Sequence, residues 1–552
     1  MNLRYALLLA LAALSCSRPP EYDVVLRNGR ICDGSGSSCT PGGVAVQKDR
    51  IVKVGDLGSA RGRTDVDVHG QVIAPGFINM MTSETGLFGD GLSQSDIRQG
   101  VTLEIFGEGE SMGPMTDAMR AEYKSQEADI RYDVTWHSLS EGLETLARHG
   151  ISPNIASFLG AATPRVYVLG RANRAPTPEE LQKMRQLTAQ AMQEGALGVA
   201  SALIYAPGAY STTDELIELA KVAAQYHGIY ISHIRNEGDH ELEAIGELIT
   251  IARQAQIPAE IYHLKVSGQK NWARLPYVLK NIEDAQKSGL KITADMYSYP
   301  AGATGLDAAM PPWVQEGGYE AWRKRLQNPA IRARVLREMR DPNAPWDNLM
   351  LATGSPEKVL LIGFKNEKLK PLTGKTLAEV ARMRNKSPED TAIDLVIEDG
   401  SRVGTVYFLM SEENVRKQIV LPYVSFGSDH DSEATDGVFL KFGAHPRGFG
   451  NFARVYAKYV RDEKLLTLED AVRKMTSLPA TNLGIANRGL VKEGYFADLV
   501  VFDPNTIQDH ATFDKPRQYA TGVSGVFVNG VEVLHNGEHT GAKPGRVVRR
   551  ER

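Results

Sequence analysis

The chain has 552 residues, of which 42% are hydrophobic and 24% are charged, and its formal net charge is −4. A chain of this length exceeds a single small core, so we expect a large globular domain accompanied by a smaller one. The slightly acidic balance and the lack of any extended Lys/Arg run argue against a nucleic-acid-binding function.

The first 20 residues predict an export signal. Arg4 precedes an apolar stretch from Tyr5 to Leu14, which is too short to span a bilayer stably and is followed by small residues. The sequence Ala13-Leu-Ser-Cys16 resembles a bacterial lipobox, in which Cys16 would be lipidated, although Ala13 replaces the commoner Leu. We therefore expect a periplasmic protein or a membrane-anchored lipoprotein, with the lipid as its only membrane contact. Simple secretion and a buried N-terminal helix are the alternatives.

Two further cysteines, Cys32 and Cys39, flank the sequence DGSGSS. In an exported protein, an even pair at this spacing predicts a disulfide that closes a turn. Two unrelated thiols are the alternative.

Short strands with Gly-rich turns are predicted at both ends of the chain. Residues 21–76 include "GGVAVQKDRIVKVG", and residues 484–552 include "GVSGVFVNGVEVLHNG". Two such segments that flank a central region predict one small β-sandwich built from both chain ends.

The central residues 77–483 alternate predicted strands and helices. Thr177-Pro-Glu-Glu180 is a capping box that opens one helix, and units such as "TDELIELAKVAAQYHG" followed by "IYISH" recur along the segment. Repeated βα units over roughly 400 residues predict a parallel (β/α)8 TIM barrel, an α/β fold. The charged, Pro-containing stretch at about 310–400 is expected to be an insertion or lid before the last strand.

Three polar side chains follow apolar runs of this predicted barrel. They are His233 in "IYISHIRNEGD", His263 in "AEIYHLKVSG" and Asp429 in "YVSFGSDH". Reactive groups of a parallel barrel lie at the carboxyl ends of its strands. Two imidazoles at neighbouring strand ends indicate a zinc site, and the Asp is well placed to take a proton from a metal-activated water.

Several stretches together resemble the N-acyl-D-amino-acid deacylase (D-aminoacylase) family of the amidohydrolase superfamily. They include "LRNGRICDGSG", "APGFI", "YAPGAYSTTDELIELAKV", "SHIRNEGD", "HLKVSG", "ADMYSYPAGATGL", "GSDH" and "HPRGFGNFARV". The resemblance covers nearly everything after the export signal. It implies that His233 and His263 hold a tightly bound zinc, and that Asp429 acts first as general base and later as acid.

The resemblance also implies a set of residues that contact the substrate. Lys265, Arg447 and a tyrosine from the Tyr297-Ser-Tyr299 segment match groups that hold the substrate carboxylate. Tyr205 matches a tyrosine near the scissile amide.

The chain departs from the family pattern at three places. Met81-x-Ser83 stands in place of His-x-His, Gly107-Glu-Gly-Glu110 in place of "GNCG", and Gly160-Ala161 in place of "GH". In the family, the Cys and the two later histidines hold the tight zinc, whereas His-x-His serves a weaker second site. The chain therefore resembles a divergent subgroup with one metal ion, and it must replace the Cys.

Glu108 is the predicted replacement for that Cys, because it ends the run "VTLEIFGE" and carries the same single negative charge as a thiolate. Two His and one Glu form a known catalytic zinc set with an open fourth position. Glu110 is the alternative ligand, and Glu84 and Glu104 are weaker candidates. A harder oxygen ligand also suits manganese or cobalt.

The expected function is hydrolysis of a linear amide bond in an N-acyl-D-amino acid. A D-aminopeptidase, a dipeptidase or a cyclic-amide hydrolase would use the same metal and base, so these remain alternatives. An inactive periplasmic binding protein is the alternative of another class. The expected partner is a small N-acyl amino acid or a short peptide, while the acyl group and the oligomeric state are left open.

Overall fold

The computed structural model describes residues 21–126 and 129–550. The predicted export signal and Cys16 lie outside the described residues. Within them, none of the helices combines the length and the hydrophobicity needed to cross a membrane.

The strands of the described chain fall into a terminal β domain, a barrel and an insertion. In chain order they are β1 (Tyr22–Ile31), β2 (Thr40–Gln47), β3 (Arg50–Gly55), β4 (Gly62–Asp67), β5 (Val72–Pro75), β6 (Phe77–Asn79), β7 (Val101–Phe106), β8 (Asn154–Ser157), β9 (Leu159–Gly160), β10 (Gly198–Ala202), β11 (Ile229–His233), β12 (Ala259–Ile261), β13 (Ile292–Met296), β14 (Gly302–Gly305), β15 (Val359–Gly363), β16 (Gly404–Tyr407), β17 (Val424–Phe426), β18 (Leu499–Phe502), β19 (Val523–Val528), β20 (Val531–His535) and β21 (Glu538–His539).

The helices of the described chain lie mainly between the barrel strands. They are α1 (Thr85–Gly89), α2 (Gln94–Ile97), α3 (Asp117–Gln126), α4 (Leu139–His149), α5 (Ala162–Leu169), α6 (Pro178–Gln193), α7 (Thr213–Gln225), α8 (Glu241–Ala255), α9 (Leu275–Lys287), α10 (Tyr319–Gln327), α11 (Pro329–Arg340), α12 (Leu349–Ala352), α13 (Leu377–Arg384), α14 (Pro388–Asp399), α15 (Glu412–Ile419), α16 (Arg447–Arg454), which continues as a π-helix over Val455–Asp462, α17 (Leu468–Met475) and α18 (Ser477–Leu483). The capping box predicted at Thr177 opens α6.

Both ends of the described chain contribute to one mixed sheet in the order β21-β20-β19-β18-β5-β1-β2-β3, with β4 paired to β1. The sheet curls back on itself, because the backbone N–H of Ile51 donates to the carbonyl of Tyr495 at 2.9 Å. Buried side chains from both ends, such as Val44 and Phe527, form one apolar cluster inside it. The structure therefore confirms a small β domain made from both ends, but its hydrogen bonding is continuous rather than split between two sandwich sheets.

The Cys32–Cys39 disulfide is present and closes the connection between β1 and β2. This turn lies against the barrel, since the Ser477 hydroxyl donates to the carbonyl of Gly34 at 2.6 Å. Gly34 has a φ of +89°, and a Cβ at this position would lie 2.6 Å from the carbonyl oxygen of Gly489. The tight approach and the positive φ together require glycine here.

Eight consecutive barrel strands are parallel within the described ranges, counting β8 and β9 as one strand interrupted at Phe158. The order is β6, β7, β8/β9, β10, β11, β12, β13 and β17, and the barrel closes where Met80 N–H donates to Phe426 at 3.2 Å. Apolar side chains such as Ile105 and Ile231 belong to a buried cluster formed largely by strand residues. These observations confirm the (β/α)8 barrel.

Two parts of the chain differ from the predicted domain limits. The segment between β13 and β17 includes a three-stranded antiparallel sheet in the order β14-β16-β15 together with α10–α14, so it begins earlier than residue 310. The C-terminal tail leaves the β domain, because Val548 N–H donates to the carbonyl of Ile155 at 2.7 Å. Val548 buries its side chain in the cluster described for the barrel strands, which accounts for this return.

The parallel arrangement brings five polar side chains to one mouth of the barrel. Glu108 follows β7, His233 ends β11, His263 follows β12, Tyr297 follows β13 and Asp429 follows β17. All five line a single cavity of about 300 Å³.

Candidate metal centre and active site

Three donor atoms converge at the floor of this cavity. Glu108 Oε1 lies 3.1 Å from His233 Nδ1 and 3.6 Å from His263 Nε2. The two imidazole rings are nearly perpendicular, with centroids 4.4 Å apart. In the described part of the chain, this is the one group of three His, Cys, Asp or Glu side chains with donor atoms close enough to share a metal ion.

The spacing of these atoms fits a tetrahedral metal ion. Bonds of about 2.0–2.2 Å to zinc place neighbouring donor atoms about 3.4 Å apart. The observed separations of 3.1 and 3.6 Å lie on either side of that value. Two imidazoles and one carboxylate also leave a fourth position for water or substrate.

The charges of the three side chains depend on one another. Burial disfavours the ionised Glu108, but hydrogen bonds with His233 and His263 lower its pKa to about 2. Burial and the nearby Lys265 disfavour a charged His263, but the carboxylates of Glu237 and Glu108 raise its pKa to about 9. Glu108 is therefore an anion at neutral pH, whereas His263 must release a proton when it binds a metal ion.

The backbone conformation at three positions directs Glu108, His263 and Asp429 into the cavity. Gly107 has a φ of +102°, and a Cβ there would lie 2.4 Å from the carbonyl oxygen of Phe158, so only glycine allows the turn before Glu108. His263 and Asp429 themselves have φ values of +37° and +50°. Non-glycine residues in this region are uncommon and are concentrated at functional sites.

Asp429 lines the same cavity and lies beside a buried arginine. Arg447 Nη1 is 2.7 Å from Asp429 Oδ2, and the Arg447 guanidinium lies 4.4 Å from the centre of the Tyr297 ring. Burial raises the pKa of Asp429, and Arg447 and His263 oppose that rise only in part. The hydroxyl of Tyr297 is buried and has no hydrogen-bond partner among the described residues.

A model of the amidohydrolase family matches residues 66–534 of this chain. The chain belongs to the amidohydrolase family.

Relatives of known activity span nearly the whole of this amidohydrolase. It is 33% identical over 548 residues to D-aminoacylase from Alcaligenes xylosoxydans xylosoxydans, covering 97% of this chain and 99% of that one. A D-aminoacylase structure, studied for its binuclear metal centre, is 32% identical with a TM-score of 0.79, covering 96% of this chain and all of that one. N-acyl-D-glutamate deacylase from Bordetella bronchiseptica, solved with zinc and a phosphonate inhibitor, is 29% identical with a TM-score of 0.78, covering 96% of this chain and 99% of that one.

The positions that bear the family's His-x-His motif contribute apolar or locally bonded groups in this amidohydrolase. Met81 is buried in the same cluster as Ile105 and Ile231, and its carbonyl accepts the N–H of Asp429 at 2.9 Å. The Ser83 hydroxyl lies 3.4 Å from that of Thr85. Neither residue is among the described residues that line the cavity of the three-donor group.

The other candidate carboxylates lie outside the three-donor group. Glu110 is 2.8 Å from Arg171 Nη1 and its side chain is 46% exposed. Glu104 accepts a hydrogen bond from Ser93 in a fully buried position. Burial raises the pKa of Glu84 to about 7. Of the four glutamates considered from the sequence, Glu108 is the one that meets both histidines.

Of the two tyrosines proposed for the substrate carboxylate, only Tyr297 lines the cavity. The Tyr299 hydroxyl donates to Asp509 at 3.1 Å and its ring packs against Phe513, away from the cavity. Tyr297 and Tyr299 point in different directions, and the sequence alone did not indicate which of the two lines the cavity. Tyr205 also lines the cavity, with its ring centroid 5.3 Å from that of His233.

Glu237 is a member of the site that the sequence analysis missed. It is 4% exposed, and its Oε1 lies 3.1 Å from His263 Nδ1 and 3.7 Å from His233 Nε2. These are the ring nitrogens that face away from Glu108. Burial disfavours a charged Glu237, but Lys265 and the two histidines hold its pKa well below the usual range. The motif "SHIRNEGD" could have indicated Glu237, because Glu237 follows the predicted ligand His233 by four residues.

Glu237 also engages Lys265. The Lys265 ammonium lies 2.5 Å from Glu237 Oε1 and 2.5 Å from His263 Nδ1. If His263 binds a metal through Nε2, its Nδ1 must carry the proton, and the Glu237 carboxylate is the neighbour able to accept a hydrogen bond from that N–H. Lys265 therefore contacts both Glu237 and His263, and it also lines the cavity, so its contact with a substrate carboxylate stays a prediction.

We predict that Glu108→Gln loses zinc affinity by at least about a hundredfold, because loss of a direct anionic ligand should exceed the 10–100-fold typical of outer partners. Competition with a chromophoric chelator measures this affinity. Glu110→Gln is the matched control and should bind zinc normally. Normal affinity in Glu108→Gln together with a loss in Glu110→Gln would move the ligand to position 110.

We predict that Glu237→Gln weakens zinc binding by about 10–100-fold, because a neutral amide supports the ring protons of the two histidines less well. The same competition assay applies. Asp239→Asn, in the same loop and paired with Lys270 at 2.7 Å, is the control and should leave affinity unchanged. Equal affinities in all three proteins would show that Glu237 does not support the histidines.

Proposed function

We propose that this amidohydrolase hydrolyses the linear amide bond of N-acyl-D-amino acids, with one zinc ion held by Glu108, His233 and His263. The observation that carries the proposal is that this three-donor group and the carboxyl group of Asp429 line the same cavity. The D configuration and the acyl amino acid class are supported by similarity to D-aminoacylase and N-acyl-D-glutamate deacylase.

A zinc ion at this group would act as a Lewis acid that acidifies a water molecule and polarises the amide carbonyl. Asp429 would accept the proton of the attacking water and deliver it to the leaving nitrogen. Arg447 forms an ion pair with its Oδ2 at 2.7 Å. Burial raises the pKa of Asp429 and makes it a stronger base than an exposed Asp.

The remaining groups would bind and orient the substrate. The buried Tyr297 hydroxyl lacks a partner among the described residues, so it is free to donate to a substrate carboxylate. Arg447 lies against the Tyr297 ring and adds positive charge on the same side of the cavity. Tyr205 lines the wall beside His233.

A single zinc ion is supported by the side chains at positions 81 and 83. Methionine and serine are poor substitutes for two imidazoles as zinc ligands. The carboxylate of Glu108 is also compatible with manganese or cobalt.

We also propose that the protein is exported, as a periplasmic protein or as a lipoprotein anchored at Cys16. The N-terminal sequence supports export, and the Cys32–Cys39 disulfide supports an oxidising compartment.

The proposed function predicts which substrate is hydrolysed and how many zinc ions the reaction requires. The purified protein should hydrolyse N-acetyl-D-leucine far faster than N-acetyl-L-leucine, D-leucyl-D-leucine or a hydantoin. Chelation should abolish the reaction, and one equivalent of zinc should restore it. Preference for the dipeptide or the cyclic amide would replace the proposed function, and a requirement for two equivalents of zinc would contradict the single-metal site.

The proposed mechanism also predicts the effect of removing the Asp429 carboxylate. Asp429→Asn should retain zinc but lose about 10²–10⁴-fold in kcat, the usual contribution of a positioned proton-transfer group. Single-turnover kinetics on protein with a measured zinc content separates this effect from metal loss. Near-normal turnover in that variant would remove Asp429 from the mechanism.

A further inference from the structure

A second cavity of about 550 Å³ opens from the one that contains the metal group. Six residues line both cavities and form their boundary: Glu110, Tyr205, Ala206, Pro207, Thr304 and Arg402. Beyond this boundary the wall is largely apolar or aromatic, and it comes from α3, α5 and the insertion. Its apolar and aromatic members include Met115, Met119, Val166, Tyr319 and Trp322.

The charged groups of the second cavity are already paired with one another. Arg171 lies 2.8 Å from Glu110 and 2.7 Å from Glu122, and Arg402 Nε lies 2.9 Å from Asp307. An anionic substituent would find each of these cations engaged, whereas an apolar one would be covered by the methionine and aromatic side chains. The chemistry of the second cavity therefore favours an apolar occupant.

The position of Asp429, the proposed proton-transfer group, indicates which half of the substrate extends into the second cavity. The leaving nitrogen must approach Asp429, and Asp429 and Arg447 together line a different recess, of about 400 Å³. The amino-acid half of the substrate is attached to that nitrogen and lies on this side. The recess and the second cavity adjoin at Thr304 and Gly404, but Tyr205 lines only the second cavity and the metal-group cavity. With the amino-acid half in the recess, the acyl half on the other side of the scissile carbon is left to extend past Tyr205 into the second cavity.

We propose that the second cavity binds a long apolar acyl chain, so that the substrates are N-fatty-acyl-D-amino acids with chains in the range from octanoyl to dodecanoyl. This inference rests on the proposed function. An acetyl group would end within the first cavity and leave the second unused. A cavity of this volume is in the range of about 300–1,000 Å³ that holds drug-sized organic groups.

The test compares N-acetyl-, N-butyryl-, N-octanoyl- and N-dodecanoyl-D-leucine as substrates of the zinc-loaded protein. Burial of each methylene favours the bound state by up to about fourfold. We expect kcat/KM to rise at least tenfold from acetyl to octanoyl. As a second arm, N-acetyl-D-2-aminodecanoic acid places the long chain on the amino-acid side. A gain for that compound but not for the octanoyl one would overturn the proposal.

Two variants locate the effect in the second cavity. Met119→Glu introduces a charge into the apolar wall, and Val166→Trp fills part of the space. Each should reduce the octanoyl-to-acetyl ratio of kcat/KM at least tenfold, with thermal unfolding used to verify that the variant is folded. Met383→Glu, at a methionine that is 64% exposed on α13, is the matched control and should keep the wild-type ratio. An unchanged ratio in a folded cavity variant would overturn the proposal.

Calorimetric binding to metal-free protein separates failure of this inference from failure of the proposed function. If N-acetyl-D-leucine is hydrolysed but chain length has no effect, the function stands and the cavity assignment is wrong. If no amide is hydrolysed, yet N-octanoyl-D-leucine binds at least tenfold more tightly than N-acetyl-D-leucine and Met119→Glu removes the difference, the cavity assignment stands without the function. Equal binding of the two compounds would contradict the assignment.

Discussion

The carboxylate of Glu108 between two imidazoles is the interaction on which the whole site depends. One oxygen of Glu108 lies within 3.1 Å of His233 and 3.6 Å of His263, and these three residues come from different barrel strands or the segments that follow them. Barrel closure fixes the relative positions of those strands. The positive φ of Gly107 then turns the chain so that Glu108 faces the histidines. These three side chains form a group that could hold a metal ion.

Further charged side chains lie around Glu108, His233 and His263 and reduce the cost of burying these groups. Glu237 lies behind both imidazoles and is itself neutralised by Lys265, while Arg447 neutralises Asp429. Buried charges are costly unless they are paired, so these contacts hold the site in one arrangement.

Much of the fold and part of the site could be predicted from the sequence, because both follow from local patterns. Alternating βα units indicated the barrel, and the polar residues after apolar runs indicated His233, His263 and Asp429. Glu108 could be proposed only with the family pattern beside it. Glu237 was missed because "NEGD" is also typical of an ordinary polar loop. The choice between Tyr297 and Tyr299 depends on backbone direction, and the second cavity is formed by segments distant in sequence.

Zinc-edge X-ray absorption of the loaded Glu108→Cys variant, compared with the wild-type protein, tests the central claim most directly. The account predicts only nitrogen and oxygen neighbours around zinc in the wild-type protein. In the variant it predicts one new sulfur neighbour at about 2.3 Å, the usual zinc–thiolate distance. A variant that binds zinc with a shell identical to the wild type, without sulfur, would show that residue 108 is not a ligand and would contradict the account.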